Sequence, residues 1–295
     1  MPSITKQATP SAITVPQATP QRVRQELEQF TEIWKGGYFE GDPLDPLSKS
    51  SYGPFGFMSV LHATYLVCIK PYVGPESRVL EIGPGRGAWT RTFVRLGAKE
   101  IWCLDALSRE HNDFDAYVGD LRNVTYLQVE DFACADVPDE RFDFFFSFGC
   151  FCHISPAGTS EYMRNVYRKM RGGAHGFLLV ADYDRYNAAI ADRSRHVARL
   201  FHASRAGVLA RAWNRAVDRF VARKYGERDF RPRDKRENDI PHPGRFYHIG
   251  ANATCALLRE IGYEVLSEDV GTVYRDPIIH FRKPGHESNS TSSAT

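Results

Sequence analysis

Val79-Leu80-Glu81-Ile82-Gly83-Pro84-Gly85-Arg86-Gly87-Ala88-Trp89 sets an apolar strand, an acidic residue and three alternating glycines directly before a helical pattern. Glycine lets the backbone turn tightly and lets a ligand approach with no Cβ in the way, and a helix amino terminus behind the bend presents free N–H groups. Glu81, at the strand tip, is suited to hold an ammonium group or to order water near it. The next apolar strand, Ile101-Trp102-Cys103-Leu104, closes on Asp105, about 18 residues beyond Gly87, where a carboxylate accepts hydrogen bonds from both hydroxyls of a ribose. A third strand leads to Glu130-Asp131-Phe132. There a carboxylate can accept from an adenine amino group, and an aromatic or backbone group can cover the ring.

Around this centre, strand and helix patterns alternate from Arg78 onward, which argues for βαβ units and an α/β fold with a mainly parallel sheet. Strands are predicted near 78–82, 100–104, 124–128, 142–148, 175–181, 263–270 and 276–282, with helices about 87–96, 158–170 and 250–261. The last two strands are joined by a turn around Gly271 to Asp276, so the final strand should return antiparallel. The expected architecture is a Rossmann-like seven-stranded sheet, mostly parallel with the last strand antiparallel. A helical N-terminal extension and a helical insertion after strand 5 complete it.

The flanks divide the chain further. Residues 1–20 repeat Gln-Ala-Thr-Pro, are rich in Thr, Pro, Ala and Ser, lack the apolar region of a secretory signal and read as a disordered tail. Residues 21–75 read as a helical cap. Val23, Leu27, Phe30 and Trp34 fall at helical spacing, a Gly- and Pro-rich loop follows through Gly56, and a second helix spans about Phe57 to Ile69. The core then covers 76–182, an inserted substrate lid 183–248, the end of the core sheet 249–284, and a second disordered tail 285–295. An insertion at the carboxyl end of a strand stands beside the crevice where open α/β sheets bind ligands.

The run Arg78–Asp182 resembles the S-adenosylmethionine-binding core of class I methyltransferases. Glu81, Gly83, Gly85 and Gly87 match the first motif of that family, Asp105 its second, and Asp131-Phe132 its third. The resemblance implies S-adenosyl-L-methionine as cofactor, the seven-stranded sheet, and a substrate site above the fourth strand. It also places Ala106, Ser147 and Phe148 along the cofactor. Phe148-Gly149-Cys150-Phe151-Cys152-His153-Ile154 and Ala181-Asp182-Tyr183 look similar to bacterial small-molecule and sugar O-methyltransferases. A nicotinamide-binding Rossmann enzyme is the competing reading, but the glycines here are spaced Gly-x-Gly-x-Gly with Pro84 inside, and Glu81 precedes them.

The reaction follows from candidate acceptor-side residues. His153, after the fourth strand, is a general base or a hydrogen-bond partner of the acceptor; its alternative role is to cap the helix after Pro156. His242, Arg245, Tyr247 and His248 cluster in PHPGRFYH at the close of the insertion: Arg245 can clamp an anion, and Tyr247 or His248 can assist deprotonation. Asp182 supports a catalytic histidine or binds substrate, and Tyr52 with the loop Gly53–Met58 can close over the site. No metal is assigned: Cys150, Cys152 and His153 lack the distant ligand pair of a structural zinc site, and Mg2+ near Asp182 is not favoured.

These residues point to O-methylation of a small, acidic metabolite, a hydroxyl of a sugar acid or natural-product intermediate. The alternatives are carboxyl O-methylation and a regulatory protein that binds the cofactor without catalysis. The amino-methylating Asn/Asp-Pro-Pro-Tyr motif is replaced by Ser147-Phe148-Gly149-Cys150. A formal charge of +2 and few aromatics in the insertion argue against nucleic acid, although segment 185–245 carries roughly twice as many Lys and Arg as Asp and Glu. No apolar run is long enough to span a membrane, six scattered cysteines suit the cytoplasm, and a homodimer is compatible with the chain. Asn-x-Ser/Thr matches at Asn123, Asn252 and Asn289 are then accidental.

Overall fold

The computed structural model describes residues 39–50, 54–182, 185, 216, 247, 249–274 and 276–285. The first tail, the second but for Gly285, the Val23–Trp34 helix, Tyr52, and nearly all of the 183–248 insertion, including His242, Arg245 and His248, lie outside the described residues.

Seven strands form one sheet: β3 (Arg78–Ile82), β4 (Glu100–Asp105), β5 (Val124–Gln128), β6 (Phe142–Ser147), β7 (Met170–Leu179), β8 (Glu264–Ser267) and β9 (Ile278–Arg282). Their order is β5-β4-β3-β6-β7-β9-β8. β9 enters between β7 and β8, antiparallel to both, while the pairs from β5 to β7 are parallel. The chain reverses direction in sheet order between β4–β3 and β6, so the crevice above the carboxyl tips of β3 and β6 is the place for a ligand.

Because successive side chains point to opposite faces, each buried strand feeds two cores. Leu80, Leu104 and Phe145 face one layer, where α4 (Pro156–Lys169) and α5 (Ala251–Ile261) contribute Tyr162, Met163, Val166, Cys255 and Leu258. Val79, Ile101, Phe144 and Phe146 face the other, against α1 (Val60–Thr64) and α2 (Thr90–Arg95). That second layer supplies Leu61, Phe93 and, just before α2, Trp89.

Three local expectations change. The loop expected through Gly56 holds a short hairpin, β1 (Pro54–Phe55) with β2 (Met58–Ser59), and the helix expected from Phe57 starts at Val60, where the Ser59 hydroxyl accepts from Leu61 N. That helix widens at Tyr65–Ile69 into a π turn closed by Lys70 N donating to Tyr65 O at 2.9 Å. A five-residue helix unforeseen from the sequence, α3 (Phe114–Val118), follows β4.

Candidate active site

The glycine loop leaves β3 and immediately turns. Gly83, Gly85 and Gly87 have φ of 73°, 53° and 95°, a region that L side chains resist. Two of the three serve the protein's own packing. A Cβ on Gly83 would stand 2.4 Å from the Cβ of Cys150, and one on Gly87 would stand 2.2 Å from Val118 and 2.9 Å from the Phe114 ring. The expectation that these glycines clear space for a ligand is corrected to that extent: Gly83 admits the loop after β6, and Gly87 admits α3. On the outer side, Asp42 pairs with Arg91 at 3.2 Å, Arg91 lies over Tyr117, and Phe39 meets Tyr117 edge-on, so segment 39–42 clasps the flank of the loop.

Asp105 stands at the tip of β4, partly exposed. One carboxylate oxygen accepts from Gly85 N at 3.1 Å and the other from Leu107 N at 2.9 Å, which ties the acidic tip to the glycine bend. Burial pushes its carboxyl up to about 6 against these donors. Each oxygen keeps a lone pair for a hydroxyl donor, so the residue fits a ribose diol. Ala106 continues the chain from it, and its carbonyl accepts from Gln128 Nε2 at 3.1 Å.

Glu81 is placed differently from the expectation. It is only 1 % exposed; Thr90 donates to it at 2.6 Å and the Cys103 thiol at 3.6 Å. The carboxylate therefore lies beneath the loop, turned toward Thr90 and Cys103 rather than toward solvent. With no cation among these contacts, burial pushes it up to about 7.

Asp131 is exposed, with its carboxylate folded onto Ala133 N at 2.8 Å. The Phe132 ring is entirely buried against Tyr162, with centroids 5.1 Å apart, so it cannot cover an adenine. Ser147 is buried and donates to Ile82 O at 2.8 Å, locking the β6 tip to the β3 tip, and Phe148 packs on Trp89.

Beyond β6 a 3-10 turn, Phe151–His153, carries His153, which is 7 % exposed. The cap of α4 is Ser155, whose hydroxyl accepts from Gly158 N at 3.1 Å, so the helix-capping alternative for His153 falls away. Ser155→Ala should lower the unfolding free energy by about 1 kcal/mol, the usual cost of a lost cap, and leave the cofactor dissociation constant unchanged, checked by urea titration and calorimetry. Tyr247, fully buried, donates its backbone N–H to Cys152 O at 2.8 Å. The close of the insertion thus lies against the turn that holds His153.

Asp182 turns out to be a bracket. Its carboxylate accepts from Arg185 N at 3.1 Å and from Ala251 N at 3.3 Å, joining the start of the insertion to the start of α5. Arg185 is itself consumed by Asp269 and by the carbonyls of Val273 and Tyr274, which removes it from the basic set available to a substrate. Among the described residues no group of three or more His, Cys, Asp or Glu side chains is placed to hold a metal ion.

A parallel sheet with one inserted antiparallel strand, a glycine bend after the first core strand and carboxylates at or just beyond the next two tips give the chain the fold of the class I methyltransferases, which it resembles. Residues 79–173 match the family model described as a methyltransferase domain, about a third of the chain. No curated protein matches the sequence. Among solved structures, an S-adenosylmethionine-dependent methyltransferase from Mesorhizobium loti superposes with a TM-score of 0.50 at 14% identity, covering 76% of this chain and 98% of that one. The [4+2]-cyclase SpnF does so at 0.52 and 15% identity, covering 92% and 98%. These likenesses carry the fold, and the second shows that chains of this fold bear more than one activity. Asp105 with the glycine bend are the groups whose hydrogen-bonding chemistry fits S-adenosyl-L-methionine.

Proposed function

We propose that this enzyme transfers the methyl group to a hydroxyl of a small, acidic metabolite, with His153 as the proton acceptor. The observation that carries this reading is the 2.8 Å hydrogen bond from Tyr247 N to Cys152 O, which brings the end of the insertion beside His153 at the tip of the central strand. The insertion, 183–248, is then the proposed substrate lid, with Arg245, His242 and His248 on it and Tyr52 on the N-terminal cap as proposed acceptor-side residues, Arg245 to pair with the anionic group. Segment 185–245 has the positive excess that an acidic acceptor requires.

When bound, the cofactor supplies an electrophilic methyl on a sulfonium, an excellent leaving group. The protein's share is alignment and exclusion of water, together with removal of the one proton an alcohol must lose. Asp105 would hold the ribose, Asp131 and its neighbouring backbone the adenine edge, and Ser147 and Phe148 the sulfonium end. His153, largely withdrawn from solvent, takes the proton. Six free cysteines, five of them buried, fit a reducing compartment, and we place the protein in the cytoplasm.

His153→Ala should cut kcat by about 100-fold or more while the dissociation constant of S-adenosylhomocysteine stays within about twofold. The assay follows labelled methyl transfer into a panel of hydroxy acids and sugar acids. Turnover retained in the variant would reassign the acceptor to an already ionised carboxylate. Labelled cofactor with no product from any metabolite pool would count against catalysis altogether.

A further inference from the structure

Asn165 lies on α4, outside every motif read from the sequence, three residues beyond Tyr162 and hence on the same helix face. Its Nδ2 donates to Phe132 O at 2.7 Å, and its Oδ1 accepts from Arg168 one turn further on. A guanidinium only donates and a peptide carbonyl only accepts, so these two partners fix which way the amide faces. The Phe132 carbonyl also accepts from the Cys134 thiol at 3.8 Å. That carbonyl belongs to the same planar peptide unit as Ala133 N, which donates to Asp131 Oδ1 at 2.8 Å. Four groups are therefore in series: Arg168, the Asn165 amide, the Phe132–Ala133 peptide and the Asp131 carboxylate.

We propose that Asn165 is a positioning residue for adenine recognition: by holding the Phe132–Ala133 peptide, it aims the exposed Asp131 carboxylate at the amino group of the purine. The inference rests on the reading above that gives Asp131 the adenine edge. The turn onto Ala133 N engages Oδ1 and leaves Oδ2 to accept from a ligand, but it fixes the carboxylate only relative to the peptide that follows. What ties that peptide to the body of the protein is α4, through the Tyr162 ring on the Phe132 ring and the Asn165 amide on the Phe132 carbonyl. The two grips differ in kind. Ring packing holds the Phe132 side chain yet tolerates a flip of the next peptide, which would swing the carbonyl outward and turn Ala133 N–H away from Asp131. The directed hydrogen bond from Asn165 opposes that flip.

The test compares two ligands by calorimetry on the full chain: S-adenosylhomocysteine and its analogue whose purine lacks the 6-amino group. The parent should prefer the amino ligand by about tenfold or more, the discrimination that one hydrogen bond to a charged acceptor gives. Asn165→Leu, which keeps bulk without the amide, should reduce that preference to about twofold and leave the affinity for the deamino analogue within about twofold of the parent's. Arg168→Leu, at an exposed position, should narrow the preference by less. A role in folding alone would weaken both ligands by the same factor, so a parallel loss overturns the proposal, as does a folded Asn165→Leu protein with the parental preference. If Asn165→Leu does not fold, Arg168→Leu decides, and an unchanged preference there overturns it as well. A parent that binds both ligands equally would refute the adenine role of Asp131 and the proposal with it. A preference lost in Asp131→Ala but kept in Asn165→Leu would overturn the role of Asn165 alone.

Discussion

Asp105→Asn is expected to weaken S-adenosylhomocysteine binding about 100-fold at pH 7.5, close to 3 kcal/mol, because two hydroxyl donors lose a charged acceptor. Asn keeps one oxygen but turns an NH2 toward a position where Gly85 N or Leu107 N now donates, so one backbone donor is left facing another. The pH dependence supplies the sharper reading. Only the ionised carboxylate accepts from both hydroxyls, and its titration in the cofactor-free protein lies near 6, above the ordinary carboxylate range. Affinity in the parent should therefore be flat above about pH 7 and fall roughly tenfold per unit below 6, whereas the Asn variant should show no such slope. Calorimetry across that range would sink the assignment if the variant retained parental affinity at pH 7.5.

Glu81→Gln should separate stability from binding. A carboxyl that titrates near 7 when folded and near 4.5 when unfolded holds its proton more tightly in the fold. Its contribution is fully present below about pH 4.5 and is lost as pH rises through 7, a decline on the order of 3 kcal/mol. Glutamine carries no charge to bury, and its carbonyl can still accept from Thr90. The cofactor-free variant should accordingly be more stable than the parent by about 2 kcal/mol at pH 8, roughly 4–8 °C in Tm, and equal to it near pH 4.5. The same change should weaken S-adenosylmethionine binding about tenfold, since the buried charge that favours a cation beneath the bend is gone. Thermal unfolding at the two pH values checks this. A variant less stable than the parent at pH 8 would mean that the ionised form is stabilised by something other than Thr90 and Cys103.

Taken together, these carboxylates describe a site built at the expense of the empty fold. Two acidic groups at adjacent strand tips face each other without a cation among their contacts, and both titrate high. A positively charged ligand relieves that cost on arrival, so cofactor and stability should be linked most strongly at alkaline pH.

The glycine bend and the acidic residues at the strand ends were legible in the chain because they are local. A β-branched and apolar run, a glycine bend and an acidic tip occur within one βα unit, so their spacing survives without knowledge of distant contacts. The seven strands were legible for a similar reason, since buried parallel strands read as apolar runs bounded by turn residues. Phe132 and Asp182 were not. Motif position placed the first on the cofactor, yet its ring lies in the core under Tyr162, and the second proved to be a backbone bracket between two segments about 65 residues apart. Each assignment depends on which neighbour the tertiary fold delivers.

By itself, then, the sequence determined the class of fold, through patterns that repeat every two or four residues and a bend that favours glycine. Tertiary structure decided the rest: that β9 inserts between β7 and β8, that Gly83 and Gly87 make room for Cys150 and α3, and that Tyr247 meets the His153 turn. The physical reason is that five residues of α3 have too short a helical pattern to register alone, and a single backbone hydrogen bond such as Tyr247 N to Cys152 O leaves no periodicity. Both acquire their roles from contacts that form only when strands and loops distant in the chain close on one another.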